Sequence, residues 1–127
     1  MVKNKKIEYT DEDEPYLLKI DMDWIPPEGY LNMYEEYIKW ILNNINLCRD
    51  WIKPIRVLKI IKYMSPSHNG IHFIIKLTEE LTDEEKLRLQ FLLGDDRKRC
   101  RMNWQSIQLG MSDWNKLYIS NRYKKID

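Results

Sequence analysis

The sequence predicts an α+β domain with the element order β-α-β-β-α-β, on three observations. Two alternating segments, "YLLKIDMDW" (16–24) and "NKLYISNRY" (115–123), stand towards the two ends of the chain. Two runs rich in β-branched and aromatic residues, "IRVLKIIKYM" (55–64) and "IHFIIKL" (71–77), are separated only by turn residues. Stretches of helical periodicity fill both remaining intervals.

In the first segment Leu18, Ile20, Met22 and Trp24 share one face, with Leu17, Lys19, Asp21 and Asp23 on the other, the period of a half-buried strand. Pro26, Pro27 and Gly29 end it. "YLNMYEEYIKWILNNI" then sets Tyr34, Ile38, Ile41 and Ile45 at helical spacing, so a helix is expected near 31–45. The central pair should form a hairpin, because "SPSHNG" supplies proline, asparagine and glycine for the turn. Thr82 followed by Glu85 is a capping-box pattern, opening a helix through Leu87, Phe91 and Leu92 that Gly94 should close. "DDRKRCRMNWQSIQLG" reads as a further helical stretch with Cys100, Trp104 and Ile107 inward. The order is that of a ferredoxin-like fold: a four-stranded antiparallel sheet with helices on one face, in which the first and third strands are neighbours.

A chain of 127 residues suits one domain. Residues 1–14, which end in the acidic run "DEDE", are expected as a flexible tail, and 15–127 as a single ferredoxin-like domain. Cys48 and Cys100 match neither a disulfide framework nor a metal-binding pair, which points to an intracellular setting. No apolar run is long enough for a membrane span, so no membrane partner is expected. The net charge is only +1, from 21 basic and 20 acidic side chains, so bulk attraction to nucleic acid is not implied. The placement is uneven, however: basic residues gather in "RKRCR" (97–101) and "NRYKK" (121–125). Arg97, Lys98, Arg99, Arg101, Tyr118 and Arg122 are therefore the candidate contacts to nucleic acid, as phosphate binders and a stacking ring.

If Ile71, Phe73 and Ile75 face the helices, His72 points to the opposite, open face with Asp21 and Asp23. Two carboxylates in an Asp-x-Asp spacing offer hard oxygen ligands for Mg²⁺ or Mn²⁺ beside a substrate phosphate.

"IDMD" (20–23) followed by a hairpin carrying "SHNGIH" (67–72) resembles the first two motifs of the archaeo-eukaryotic primase superfamily. The resemblance implies Asp21 and Asp23 as metal ligands, and Ser67, Gly70 and His72 as a nucleotide-binding turn. His68 stands where that superfamily has glycine. Its third acidic residue is absent from "NKLYISNRY", leaving Asp95 and Asp96 of "LGDDRKR" as candidates to supply it from outside the sheet. The pattern is also similar to small uncharacterised proteins of archaeal viruses and mobile elements, which would place the chain in a host cytoplasm. The expectation is a small nucleic-acid- or nucleotide-binding protein, associated with replication, with an incomplete primase-like site.

Other readings compete. "NGIHFIIKL" partly fits the RNA-recognition strand pattern, in a register that turns Ile71 and Phe73 outward, but the first strand offers no outward aromatic to stack a base. His68 and His72 lack the cysteine pair of a zinc finger, so zinc is not expected. Their spacing also differs from the His-hydrophobe-His motif of rolling-circle relaxases. The alternative class is a non-catalytic interaction module that uses an open sheet face to form a homodimer, for which five tryptophans and eight tyrosines provide the surface.

Overall fold

The computed structural model describes residues 9–44, 55–65, 69–117 and 125–126. A 3-10 turn (Asp11–Tyr16) leads into β1 (Leu17–Met22), α1 (Glu28–Asn44), β2 (Val57–Met64), β3 (Ile71–Leu77), α2 (Asp83–Leu92), α3 (Arg97–Gln108) and a two-residue β4 (Lys125–Ile126). The architecture is mixed α+β around an antiparallel sheet whose three substantial strands run β1-β3-β2. β3 is central, as expected. It pairs with β1 in the register that sets Asp21 against His72 and Ile20 against Phe73, and with β2 in the one that sets Tyr63 against His72.

The expected four-stranded ferredoxin-like sheet needs correcting. In that topology the last strand lies against the first. Here residues 115–117 are not in a strand, residues 118–123 lie outside the described residues, and β4 pairs with Lys62 and Tyr63 on the far side of β2. The outer edge of β1 is occupied by the α2–α3 region. Lys19 N–H donates to Gln90 Oε1 at 2.9 Å, and Asp21 N–H to Asp95 Oδ1 at 2.7 Å. Asp96 N–H donates to the Asp21 carbonyl at 3.0 Å, and Arg99 Nη1 to the Lys19 carbonyl at 3.1 Å. An edge strand enclosed on both faces must have its backbone groups paired, and here side chains and a helix start do what a neighbouring strand would do.

One face of the sheet carries the main core. Leu18, Ile20 and Met22 of β1 and Ile71, Phe73, Ile75 and Leu77 of β3 pack with Tyr34, Ile38 and Leu42 of α1 and with Leu89 and Leu93. The register with Phe73 towards the helices, and so His72 away from them, is the one realised. The Tyr34 ring meets Phe73 edge-on at 5.1 Å, and its hydroxyl donates to the Leu93 carbonyl at 2.6 Å. That paired, enclosed hydroxyl explains why burial raises the Tyr34 pKa far above its usual value. β1 stops at Met22, so Trp24 is not on its core face as expected. Trp24 is exposed and lies edge-on to Tyr30 at 5.0 Å.

Helix boundaries follow the local chemistry. The capping box forms, with Glu85 N–H donating to Thr82 Oγ1 at 3.2 Å and Thr82 N–H to Glu85 Oε1 at 2.8 Å. Gly94 follows α2 at φ +97°, a left-handed conformation that glycine adopts without strain. The inward faces differ in part from expectation. α2 buries Lys86, Leu89 and Gln90 and exposes Phe91 and Leu92, while α3 buries Cys100, as expected, together with Asn103, and turns Trp104 outward.

The second sheet face, expected to be open, is covered. Leu17, Ile61, Tyr63 and Ile74 form a smaller cluster there, with Tyr9 and Leu117 packed on it. The acidic run 11–14, expected in a tail, forms the 3-10 turn and ties this face down. Glu14 Oε2 lies 2.8 Å from Lys19 Nζ, and Asp13 Oδ1 lies 3.1 Å from Lys76 Nζ. Lys19 Nζ also donates to the Asn115 carbonyl at 2.8 Å. Burial lowers the Lys19 pKa, an effect that the Glu14 carboxylate opposes.

Candidate metal centre

The end of β1 and the start of α3 bring three carboxylates together. Strand alternation sends Asp21 away from the main core, and Asp23 follows in the bend after β1. Asp96 is the N-cap of α3, accepting from Arg99 N–H at 3.1 Å, while its own N–H is bonded to the Asp21 carbonyl. Two of the three acids are thus fixed to each other through the backbone. One carboxylate oxygen from each of Asp21, Asp23 and Asp96 lies within 4.8 Å of the other two. Asp21 and Asp96 are half-buried and Asp23 is exposed, which leaves one side free for water or a phosphate.

The electrostatics reflect this crowding. Asp23 holds its proton above the usual carboxylate range, first because it hydrogen-bonds Asp96, then through burial and the negative charges of Asp96, Asp21 and Asp95. A divalent cation would take that proton's place. An all-oxygen set suits a hard cation such as Mg²⁺ or Mn²⁺.

Asp95, next to this cluster, has a different role. It is fully enclosed, with Oδ2 2.6 Å from Arg99 Nη1 and 3.3 Å from Cys100 Sγ. Burial raises its pKa while Arg99 and the Asp21 amide pull the other way. The Cys100 thiol is pushed up to about 12 by burial and by Asp95, and its side chain is buried beside that carboxylate.

The remaining expected site residues separate into distinct positions. His72 sits behind Asp21, with Nε2 3.4 Å from Oδ1, and is only 4% exposed under the edge of the Tyr63 ring. Its Nδ1 has no hydrogen-bond partner. His72 therefore backs a carboxylate and does not lie on an open face. Gly70 serves the hairpin: a Cβ there would meet the Met22 carbonyl oxygen at 2.2 Å, and its N–H donates to Ser65 Oγ at 3.1 Å. That amide is committed within the turn and does not point at a phosphate. Ser67 lies outside the described residues, as do Tyr118 and Arg122.

The basic cluster also divides. Arg97, Lys98 and Arg101 are exposed on α3. Arg99 is internal: besides Lys19 and Asp95 it donates to Asn115 Oδ1 at 2.9 Å and to the Lys116 carbonyl at 3.1 Å. Its role is to staple β1, α3 and the segment after α3. Asp96 was legible as an acid outside the sheet, but the bonds that place it beside Asp21 leave no local sequence signal.

No helix among the described residues is long and apolar enough to cross a membrane. No family model matches the chain, and no solved structure matches it. The chain is similar to "Uncharacterized protein 30" of Sulfolobus islandicus filamentous virus (isolate Iceland/Hveragerdi), 30% identical over 121 residues that take in 89% of this chain. The chain spans 40% of the length of that relative. The likeness agrees with the archaeal-virus resemblance read from the sequence, and none of the comparisons points to a primase.

Proposed function

We propose that this protein binds nucleotides or nucleic acid through a divalent cation held by Asp21, Asp23 and Asp96. The observation that carries this reading is the convergence of the three carboxylates within 4.8 Å on a partly exposed rim. Three oxygen ligands leave coordination positions on a Mg²⁺ or Mn²⁺ ion for water and phosphate oxygens, the usual way such ions meet nucleotides. The exposed Arg97, Lys98 and Arg101 lie on the helix that Asp96 caps, and provide the salt-sensitive contacts to further phosphates. Asp96 fills the place of the third acid missing from the primase-like pattern, while Gly70 and His72 support the ligands structurally. The test is calorimetry of a nucleoside triphosphate with and without Mn²⁺, on the wild type and on Asp21→Asn with Asp23→Asn. Mn²⁺-dependent binding confined to the wild type supports the reading, and equal, negligible binding by both proteins ends it.

A second reading, a non-catalytic dimerisation module, moves from the sheet to α1, because the face expected to be open is covered. Met33, Tyr37 and Trp40 are all exposed on that helix, Trp40 by 63%. Sedimentation of the wild type and of Trp40→Glu separates it from the first, since a monomer at every concentration rules it out.

A further inference from the structure

A groove of about 460 Å³ opens from Asp21 and Asp96 and runs along α3 to the segment that follows it. Its size falls in the roughly 300–1,000 Å³ range of small-molecule sites. Its far walls are Asn103, Met111 and Trp114, and Lys98 stands on its rim. Asn103 is the unexpected member. It is only 6% exposed, and its Nδ2 has no hydrogen-bond partner. A buried amide donor left unpaired costs stability in the free protein, and the cost is recovered when a ligand supplies an acceptor. Asn103 is itself among the residues that line the groove.

We infer that this groove receives the base of a nucleotide whose phosphates lie on the metal centre. The inference rests on the proposed cation site and adds its substrate class. The groove lining also carries the charged Arg99, Asp113 and Lys116. With the phosphates held on a cation at Asp21 and Asp96, the base reaches the stretch of wall that Asn103, Met111 and Trp114 form. The Met111 thioether and the Trp114 indole supply an apolar wall for a flat heterocycle, and the Asn103 amide supplies a donor for a ring nitrogen or carbonyl acceptor. Both a free nucleoside triphosphate and a nucleotide of a single strand carry this chemistry.

The test compares inorganic tripolyphosphate, a nucleoside triphosphate and a short single-stranded oligonucleotide, each with saturating Mn²⁺, on the wild type, Asn103→Ala and Met111→Trp. Asn103→Ala removes the donor, and Met111→Trp fills the groove from its exposed rim, so a folding defect in the first does not remove the test. The wild type should bind the triphosphate about tenfold or more tightly than tripolyphosphate, and each variant should lose that advantage while keeping Mn²⁺ and tripolyphosphate binding. The oligonucleotide shows whether a polymer fills the same groove, by whether its binding falls in the same variants. Equal wild-type affinity for triphosphate and tripolyphosphate overturns the groove assignment and leaves the metal centre standing. Failure of the wild type to bind Mn²⁺ or either phosphate overturns both.

Discussion

Asp21 and His72 stand directly opposite each other on antiparallel strands, with Nε2 of the histidine 3.4 Å from Oδ1 of the aspartate. The imidazole is enclosed and the carboxylate half-exposed, so the ring backs the acid from its buried side. His72→Ala should weaken Mn²⁺ binding by about tenfold, the usual consequence of losing a group that orients a metal ligand. Paramagnetic titration measures it, beside a thermal melt that separates the effect from unfolding. Unchanged affinity in a folded variant would make His72 a packing residue only.

Gly70→Ala tests the hairpin. The added Cβ would lie 2.2 Å from the Met22 carbonyl oxygen, so β1 and the turn must move apart. A loss of about 2 kcal/mol is expected in urea unfolding, within the usual cost of overpacking a buried site. Because that movement displaces the end of β1, Mn²⁺ affinity should fall with it.

The basic residues of α3 should divide under mutation. Removing Arg99 strands the buried Asp95 carboxylate and frees the outer edge of β1, so Arg99→Ala should cost about 3 kcal/mol or more. Arg97→Glu, Lys98→Glu and Arg101→Glu alter exposed groups and should leave the melting temperature nearly unchanged. Each should weaken nucleic-acid binding and, for duplex DNA, lower the salt slope by about one unit per lost phosphate contact. A slope that does not respond to any of the three would remove α3 from the interface.

The metal-free centre should depend on pH. The folded protein holds the Asp23 proton above the range of an unfolded aspartate, so between those two pKa values the native state carries more protons. Stability contributed by this group is therefore lost as pH rises through that window and regained as pH falls. At neutral pH, Asp23→Asn should raise the melting temperature of the metal-free protein, and the gain should vanish below the unfolded pKa. Mn²⁺ should raise the wild-type melting temperature at neutral pH and lose affinity as acid returns the proton. A gain from Asp23→Asn that persists in acid would assign it to another cause.

Legibility from sequence varied with the kind of interaction. β3 was read with its observed limits, because Ile71, Phe73, Ile75 and Leu77 recur at every second position and turn residues precede them. The Thr82–Glu85 cap and Gly94 were readable, since their bonds close within three or four positions. The outer edge of β1 was not. Gln90, Asp95 and Arg99 reach it over 71 to 80 positions of chain, and polar residues in a helix otherwise read as solvated surface. The same blindness placed Trp104 inward and gave no sign that Asn103 is buried, although periodicity had correctly located their helix. At the candidate site, Asp21 and Asp23 followed from strand alternation and resemblance. Asp96 was visible only as one of two neighbouring acids, because its position depends on a backbone bond between α3 and β1.

The most direct measurement is a Mn²⁺ titration of the wild type and Asp96→Asn, following the loss of the free-ion paramagnetic signal. If Asp21, Asp23 and Asp96 share one cation, the wild type takes up a single ion per chain. Asp96→Asn, which keeps an oxygen at the N-cap of α3 but loses the charge, then binds roughly tenfold or more weakly. Equal affinity in the two proteins, or a wild type that leaves the ion free throughout the millimolar range, would contradict the shared centre.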